Sequence, residues 1–221
     1  MSYRNTWKRV IDLALSLIAF LVLLPIFFLL AVMIKIDSRG PILFRQERCG
    51  KKEEPFQVLK FRTMYADTPK NIPTGQLDNP DFHITRFGNF LRKTSLDELP
   101  QIINIIKGEM SIVGPRPLIY EEKEVLRLRG INHAAELSPG LTGWAQINGR
   151  DVMPPEVKAQ YDGEYYQRLS PLFDMKIFFR SIAYVLRRDG IHEGKIRYDE
   201  SIETDRDSDH VRKGKEPSEK H

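Results

Sequence analysis

From Leu13 to Ile34 the chain carries no charged residue, and Pro25 sits near the middle of that run. So long an apolar stretch can be buried only in lipid or in an unusually large core. At about 1.5 Å per residue it would reach roughly 30 Å as a straight helix, the thickness of a bilayer's hydrocarbon. Its flanks are basic on both sides, with Arg4, Lys8 and Arg9 before it and Lys35, Arg39, Arg45 and Arg48 after it. Positive charge beside a membrane segment favours the cytoplasm, so neither end is favoured for export. Pro25 lacks a backbone donor and its ring clashes with the Leu21 carbonyl, so a helix bends there. Two topologies fit these facts: a kinked helix with both ends on the cytoplasmic face, or one spanning helix with a tolerated proline. A cleaved signal peptide fits less well, because charge follows the run where a small-x-small site would be needed.

After Ile36 the composition turns polar, and the 221 residues leave room for one domain beyond the membrane segment. The net charge of +4 suits an anionic membrane surface or a phosphate-bearing substrate. No nucleic-acid reader motif is recognisable, so nucleic acid is not indicated as a partner. A single cysteine, Cys49, excludes an intramolecular disulfide. The five histidines are scattered without metal-ligand spacing, which leaves zinc chemistry and a Ser-His-Asp triad poorly supported.

Ile42 to Arg48 and Phe56 to Met64 read as two strands of a hairpin, with Cys49-Gly50-Lys51-Lys52 as the turn. The polar stretch from Tyr65 to His83 has no apolar periodicity and the length of a functional loop or lid. A helix is expected from Ser95, with Leu96, Leu99, Ile102, Ile103 and Ile106 on one face and Gly108 as its stop. Leu118 to Arg129, closed by Gly130, and Val157 to Leu169 read as further helices. Ser138 to Arg150 reads as a turn-rich loop. Leu172 to Arg188 is the clearest helix of the soluble part, basic on one side, with an apolar stripe of Met175, Phe178, Phe179, Ile182, Val185 and Leu186. Such a stripe packs on a core or lies in a bilayer interface. The charge-dense tail from Tyr198 is expected to be disordered.

Three polar constellations could carry chemistry. In Arg92-Lys93-Thr94-Ser95-Leu96-Asp97-Glu98, Ser95 and Glu98 have the spacing of a capping box. Asp97 would then lie in the first helical turn, where an ionised carboxylate is favoured. Adjacent residues on a helix point about 100° apart, so Asp97 and Glu98 make a poor glycosidase pair. In Gly114-Pro115-Arg116-Pro117, two prolines fix the backbone around one arginine, whose guanidinium is a fork for phosphate oxygens. In Pro139 to Arg150, glycines permit close backbone approach and Arg150 could meet a phosphate. Each of these also has a plain structural reading as a cap, a rigid turn or a loop.

In order along the chain, the apolar segment, Lys60-Phe61-Arg62-Thr63-Met64, Ser95-Leu96-Asp97-Glu98-Leu99-Pro100, Gly114-Pro115-Arg116-Pro117 and Pro139 to Arg150 resemble the bacterial sugar transferase family. The likeness is to its small monotopic polyprenyl-phosphate phosphoglycosyl transferases, from Trp7 to about Gly194. It implies an α+β fold: a re-entrant membrane helix-break-helix over 1–38, a catalytic domain over 39–197 with a β-hairpin and amphipathic interfacial helices, and a tail over 198–221. Larger members carry extra N-terminal regions, so this chain resembles the minimal catalytic form. The implied reaction moves a phosphosugar from a UDP-sugar to polyprenyl (undecaprenyl) phosphate, giving polyprenyl diphosphosugar and UMP. Asp97 would be the nucleophile and Glu98 its partner, the two also holding Mg2+. Arg92, Arg116, Lys60 and Arg150 would contact phosphate, and the Tyr65–His83 loop would close over the donor. The implied place is the cytoplasmic face of a bacterial inner membrane, with the lipid bilayer as partner and both termini cytoplasmic. One departure stands out: the family commonly breaks its membrane helix at Ser-Pro, and here the pair is Leu24-Pro25. The alternative class is a membrane-tethered protein without enzymatic activity that binds anionic lipid or a partner, with Asp97 and Glu98 as a mere helix cap. The sequence leaves the sugar, the final glycan and the oligomeric state open.

Overall fold

Every position from Leu13 to Ile34 except Ser16 is apolar, and the chain there forms one helix, α1 (Lys8–Asp37), which runs through Pro25. A computed structural model describes residues 3–69, 79–149 and 153–187. α1 is long and apolar enough to cross a membrane. Its middle faces outward, with Leu21, Val22, Phe28 and Leu29 exposed.

Both ends of α1 are moored to the rest of the protein. At the start, Lys8 Nζ lies 2.7 Å from Asp174, and Arg9 donates to the carbonyls of Ile105 and Ile106. The buried Asp12 accepts from Ser111 Oγ at 2.7 Å and from Ile112 N at 3.3 Å. At the other end, Leu30 and Ile34 form a core cluster with Phe61 and Leu91. Each fully buried side chain of that size contributes roughly 2 kcal/mol.

The expected hairpin is present. β1 (Leu43–Cys49) and β2 (Pro55–Phe61) pair antiparallel, Leu43 opposite Phe61 and Cys49 opposite Pro55. A short 3₁₀ turn over Lys51–Glu53 closes it. Tyr65 N donates to His83 O at 2.9 Å and Met64 bridges Ile84, so the ends of the following loop meet. Its centre, 70–78, lies outside the described residues, as does the tail from 198.

Beyond the loop comes a helix that the sequence reading missed, α2 (Arg86–Thr94), whose cap Thr85 Oγ1 accepts from Gly88 N at 2.9 Å. Gly88 lets α2 pack on β2's extension: a Cβ there would stand 2.0 Å from Thr63 O. Ser95 corrects the capping-box expectation. It sits in the left-handed region, φ 55°, as the C-cap of α2, and its side chain makes no cap bond. Asp97 and Glu98 therefore belong to a separate 3₁₀ turn, Leu96–Glu98, ahead of α3 (Gln101–Lys107). α3 stops at Gly108 as expected. Its buried face is Gln101, Ile102, Asn104 and Ile105, rotated from the face that includes Ile103 and Ile106.

A second sheet was also missed: β3 (Ser111–Val113) pairs parallel with β4 (Gly140–Thr142). Between them α4 (Lys123–Ile131) runs through Gly130, which is exposed and meets nothing, so the glycine does not end the helix. After β4 come α5 (Trp144–Asn148), α6 (Pro155–Arg168) and α7 (Pro171–Arg187). The core face of α7 is Phe173 and Ile177. Leu172, Met175, Phe179 and Ile182 point away from the core and are exposed.

Asn104 fastens α3 to β2. Its Oδ1 accepts from Leu59 N at 3.0 Å, and its Nδ2 donates to Gln57 O at 2.8 Å and to Glu109 at 2.6 Å. Asn104→Ala leaves buried backbone groups unpaired and is expected to lower stability by about 2–4 kcal/mol, since each orphaned group costs about 1–3 kcal/mol. Thermal or denaturant unfolding of the detergent-solubilised protein measures it, and an unchanged midpoint would contradict the anchoring role.

Candidate active site

β2 ends at Phe61 and its register sets what its last residues can reach. Asn104 holds Leu59 N from one side, and Phe61 is buried against Leu30 and Ile34 from the other. Lys60 between them is aimed at the 3₁₀ turn of the acid pair. Its Nζ lies 2.8 Å from Glu98 Oε1 and 4.0 Å from Asp97 Oδ2. Asp97 is 5 % exposed. The two carboxylates, neighbours in sequence, thus share one ammonium group.

The Gly114–Pro117 turn brings a second cation. The Arg116 guanidinium stands near enough to Glu98 to act on its ionisation. Burial pushes the Glu98 carboxyl up, Lys60 and Arg116 pull it down, and a hydrogen bond from Gln101 helps, so the net direction is below its ordinary 4.5. Two opposite charges close by outweigh the desolvation of a group that keeps some contact with water. Arg92, near the end of α2, donates from Nε to Thr63 Oγ1 at 2.9 Å, three residues along from Lys60. Arg150 lies outside the described residues.

The structure therefore gathers Lys60, Asp97, Glu98 and Arg116 from three separate segments and sets Arg92 on the extension of β2. Two polar residues here escaped the sequence reading. Gln101 is 3 % exposed and bonds Glu98, and Thr63 receives Arg92. Gln101 had a signal: it stands three residues after Glu98, the spacing that brings side chains to one side of a helical turn. Thr63 had none beyond its place in Lys60-Phe61-Arg62-Thr63.

Among the described residues no group of three or more His, Cys, Asp and Glu could hold a metal ion. Asp97 and Glu98 offer two hard carboxylates around one cation position. That donor set fits magnesium, which is usually bound by one or two carboxylates with phosphate oxygens and water completing its shell.

Residues 3–188 match the family described as bacterial sugar transferase. The chain belongs to that family. A UDP-glucose:undecaprenyl-phosphate glucose-1-phosphate transferase of Escherichia coli K12 is 41 % identical over 182 residues, 79 % of this chain and 39 % of that protein. An undecaprenyl-phosphate glucose phosphotransferase of Komagataeibacter xylinus is 41 % identical over 194 residues, 79 % of this chain and 35 % of that protein. The chain thus spans well under half the length of these two relatives. It covers far more of the sugar transferase EpsL of Bacillus subtilis, whose function is uncharacterized: 38 % identity over 84 % of this chain and 90 % of that one.

The lowered Glu98 carboxyl gives a pH dependence with a definite sign. A carboxyl lowered by folding contributes stability that is full above its ordinary value and is lost as pH falls through the lower folded value. Lys60→Met removes the larger of the two opposing charges, so the acid limb of the stability–pH curve is expected to move to higher pH. Denaturation midpoints across roughly pH 3 to 7 measure this shift. An acid limb that stays in place would mean that Lys60 does not hold Glu98 ionised.

Proposed function

We propose that this sugar transferase moves a phosphosugar from a UDP-sugar to polyprenyl (undecaprenyl) phosphate, with Asp97 as nucleophile. The observation that carries the reading is Asp97 itself: a buried carboxylate beside Lys60 and next to Glu98, on which Arg116 acts. The relatives' names supply the substrate class. Those from Escherichia coli and Komagataeibacter xylinus are named for glucose, and one from Erwinia amylovora is called a UDP-galactose-lipid carrier transferase. The donor is accordingly a UDP-sugar, with UDP-hexoses the first to try.

In the first step an Asp97 carboxylate oxygen attacks the sugar-side phosphorus. The bond from that phosphorus to the bridging oxygen breaks, and UMP leaves with the electron pair. In the second step an oxygen of the lipid phosphate attacks the same phosphorus. The bond to Asp97 breaks, which regenerates the carboxylate and yields polyprenyl diphosphosugar. A carboxylate meets repulsion from a diphosphate, so positioning and electrostatics carry the reaction. Lys60 and Arg116 supply positive charge for the phosphates, and Arg92 on the extension of β2 adds to it. Magnesium held by Asp97 and Glu98 would supply further neutralisation of the diphosphate.

A re-entrant α1 places this site at the cytoplasmic surface of the inner membrane, with both termini in the cytoplasm. One short run supports that topology. Leu96 and Leu99 pack on the cluster that contains Leu30 and Ile34, while the carbonyls of Ile105 and Ile106 take Arg9. A straight helix would set Arg9 and Leu30 roughly 31 Å apart, whereas Leu99 and Ile106 are separated by roughly 10 Å at helical rise. Phe20 and Phe27, two turns apart on α1, also bring their rings to 5.7 Å, as a bend at Pro25 would. The exposed apolar face of α7, flanked by Lys176 and Arg180, suits the headgroup layer.

With magnesium, undecaprenyl phosphate and a panel of UDP-sugars, the protein is expected to release UMP and to form a phosphosugar adduct on Asp97. Asp97→Asn should reduce turnover by about 10³-fold or more and abolish the adduct. Full activity in the folded variant, or an adduct on another residue, would overturn the assignment. For topology, cysteine tags at both ends should react only with reagent on the cytoplasmic side. A tag labelled from the periplasm at the N-terminus would rule out re-entry.

A further inference from the structure

The two prolines of Gly114-Pro115-Arg116-Pro117 have no N–H, so around Arg116 the backbone must be held mainly through its carbonyls. They are held one after another from different parts of the fold. Pro115 O accepts from Gly140 N at 2.8 Å, Arg116 O from Arg129 Nη1 at 2.9 Å, and Leu118 O from Cys49 N at 2.8 Å. Pro117 O has a long contact of 3.5 Å with Arg48. The bond to Arg116 is unlike the two short ones beside it, because it comes from a side chain inside the core.

That side chain is itself tied down. Arg129 on α4 is 6 % exposed, and it faces Asp162 on α6, which is 1 % exposed. Arg129 Nε donates to Asp162 Oδ2 at 2.8 Å, and Nη2 lies 2.7 Å from the same oxygen. The guanidinium is fixed by one carboxylate on one side and spends its remaining edge on one carbonyl. Burial pushes the Asp162 carboxyl up in spite of Arg129, which shows what desolvation costs here. Sealed ion pairs of this kind add little net stability, and apolar residues of like volume often replace them without loss. Net stability is therefore a weak reason for the pair. Its third partner is the carbonyl of the residue whose guanidinium acts on Glu98.

We propose that Arg129 and Asp162 are positioning residues for phosphate capture: Asp162 orients Arg129, and Arg129, by holding the Arg116 carbonyl, directs the Arg116 side chain to the donor's diphosphate. This rests on the phosphosugar-transfer reading for the identity of the ligand. It makes α4 and α6, which supply no group to the site, part of its alignment.

The test replaces both partners at once. Arg129→Met with Asp162→Leu leaves no buried charge unpaired, so the double variant is expected to melt within a few degrees of the unmodified protein. Its kcat for UMP release should nevertheless fall by about tenfold or more, the scale of a misplaced positioning group. Adding Arg116→Ala should make it no slower than Arg116→Ala alone, because the pair acts only through Arg116. A folded double variant with unmodified kcat overturns the proposal, and so does a triple variant that loses the two factors multiplied. Should the double variant fail to fold, Asp162→Asn replaces it in the same cycle with Arg116→Ala, where an unmodified kcat or multiplied losses again overturn the proposal. Binding of UDP, measured by calorimetry with magnesium, gives a readout that needs no turnover: Arg116→Ala and the pair variant should weaken it alike. An unmodified protein that binds UDP but releases no UMP would sink the transfer reading and leave this coupling to be decided by the binding cycle.

Discussion

Two neighbouring carboxylates in a tight, largely buried turn repel each other unless positive charge is held against them, and Lys60 is the charge that reaches both. Its ammonium lies within 4.0 Å of both Asp97 and Glu98. A lysine on a free strand end would lose much of this to side-chain entropy and solvent. Here the strand end is not free. Leu59 N is bonded to the fully buried Asn104, and Phe61 is locked into a core cluster. The electrostatics of the site therefore rest on a backbone register: shift β2 by one residue and Lys60 turns to the opposite face.

The segment Lys60-Phe61-Arg62-Thr63 also ties the site to the apolar helix. Phe61 packs on Leu30 and Ile34, and its ring lies 5.6 Å from that of Phe27. Arg62, 5 % exposed, donates to the carbonyls of Ser38 at 2.7 Å and Arg39 at 2.8 Å, where α1 ends and leaves carbonyls without intrahelical donors. Gly40 makes room for this, since a Cβ there would stand 2.0 Å from Arg62 Nη1. Thr63 then holds Arg92. One short segment thus sends Lys60 to the acids, Phe61 and Arg62 to the apolar helix and its end, and Thr63 to Arg92.

Much of this was legible from the residues alone, and the failures have physical causes. The uncharged run, the hairpin, α6 and α7 follow from patterns that local physics enforces. Ser95 misled because Ser-x-x-Glu marks a helix start by spacing, while the chain places Ser95 in the left-handed region at the end of α2. α2 was missed because its mean composition is polar, Arg86-Phe87-Gly88-Asn89-Phe90, and only tertiary packing against Thr63 makes its glycine useful. The parallel pair of β3 and β4 is three residues a side, too short for any period to register. The outward stripe of α7 was open in the sequence, since an apolar stripe suits a core or an interface equally. The structure gives the core side to Phe173 and Ile177 and leaves Phe179 and Ile182 outside. Asn104 and Arg129 could not be read at all, because a polar residue on a buried face declares its partner only once the fold brings one.

The charges around the start of α1 bear on depth. Tyr3, Lys8 and Tyr165 converge on the Asp174 carboxylate, and Asp12 bonds Ser111 on β3. Such a network is expensive in hydrocarbon, and it stands at the start of the uncharged run. At the far end Asp37 accepts from Phe87 N and Lys35 donates to Gly40 O. Between Asp12 and Lys35 nothing charged interrupts the helix. Both polar boundaries are bonded to one domain, and Lys60, which reaches the acid pair, is the neighbour of Phe61, where the strand meets the helix. Mooring both ends of the apolar helix to the strand and helix that frame Asp97 fixes the acid pair relative to that helix by packing and leaves nothing to a flexible linker.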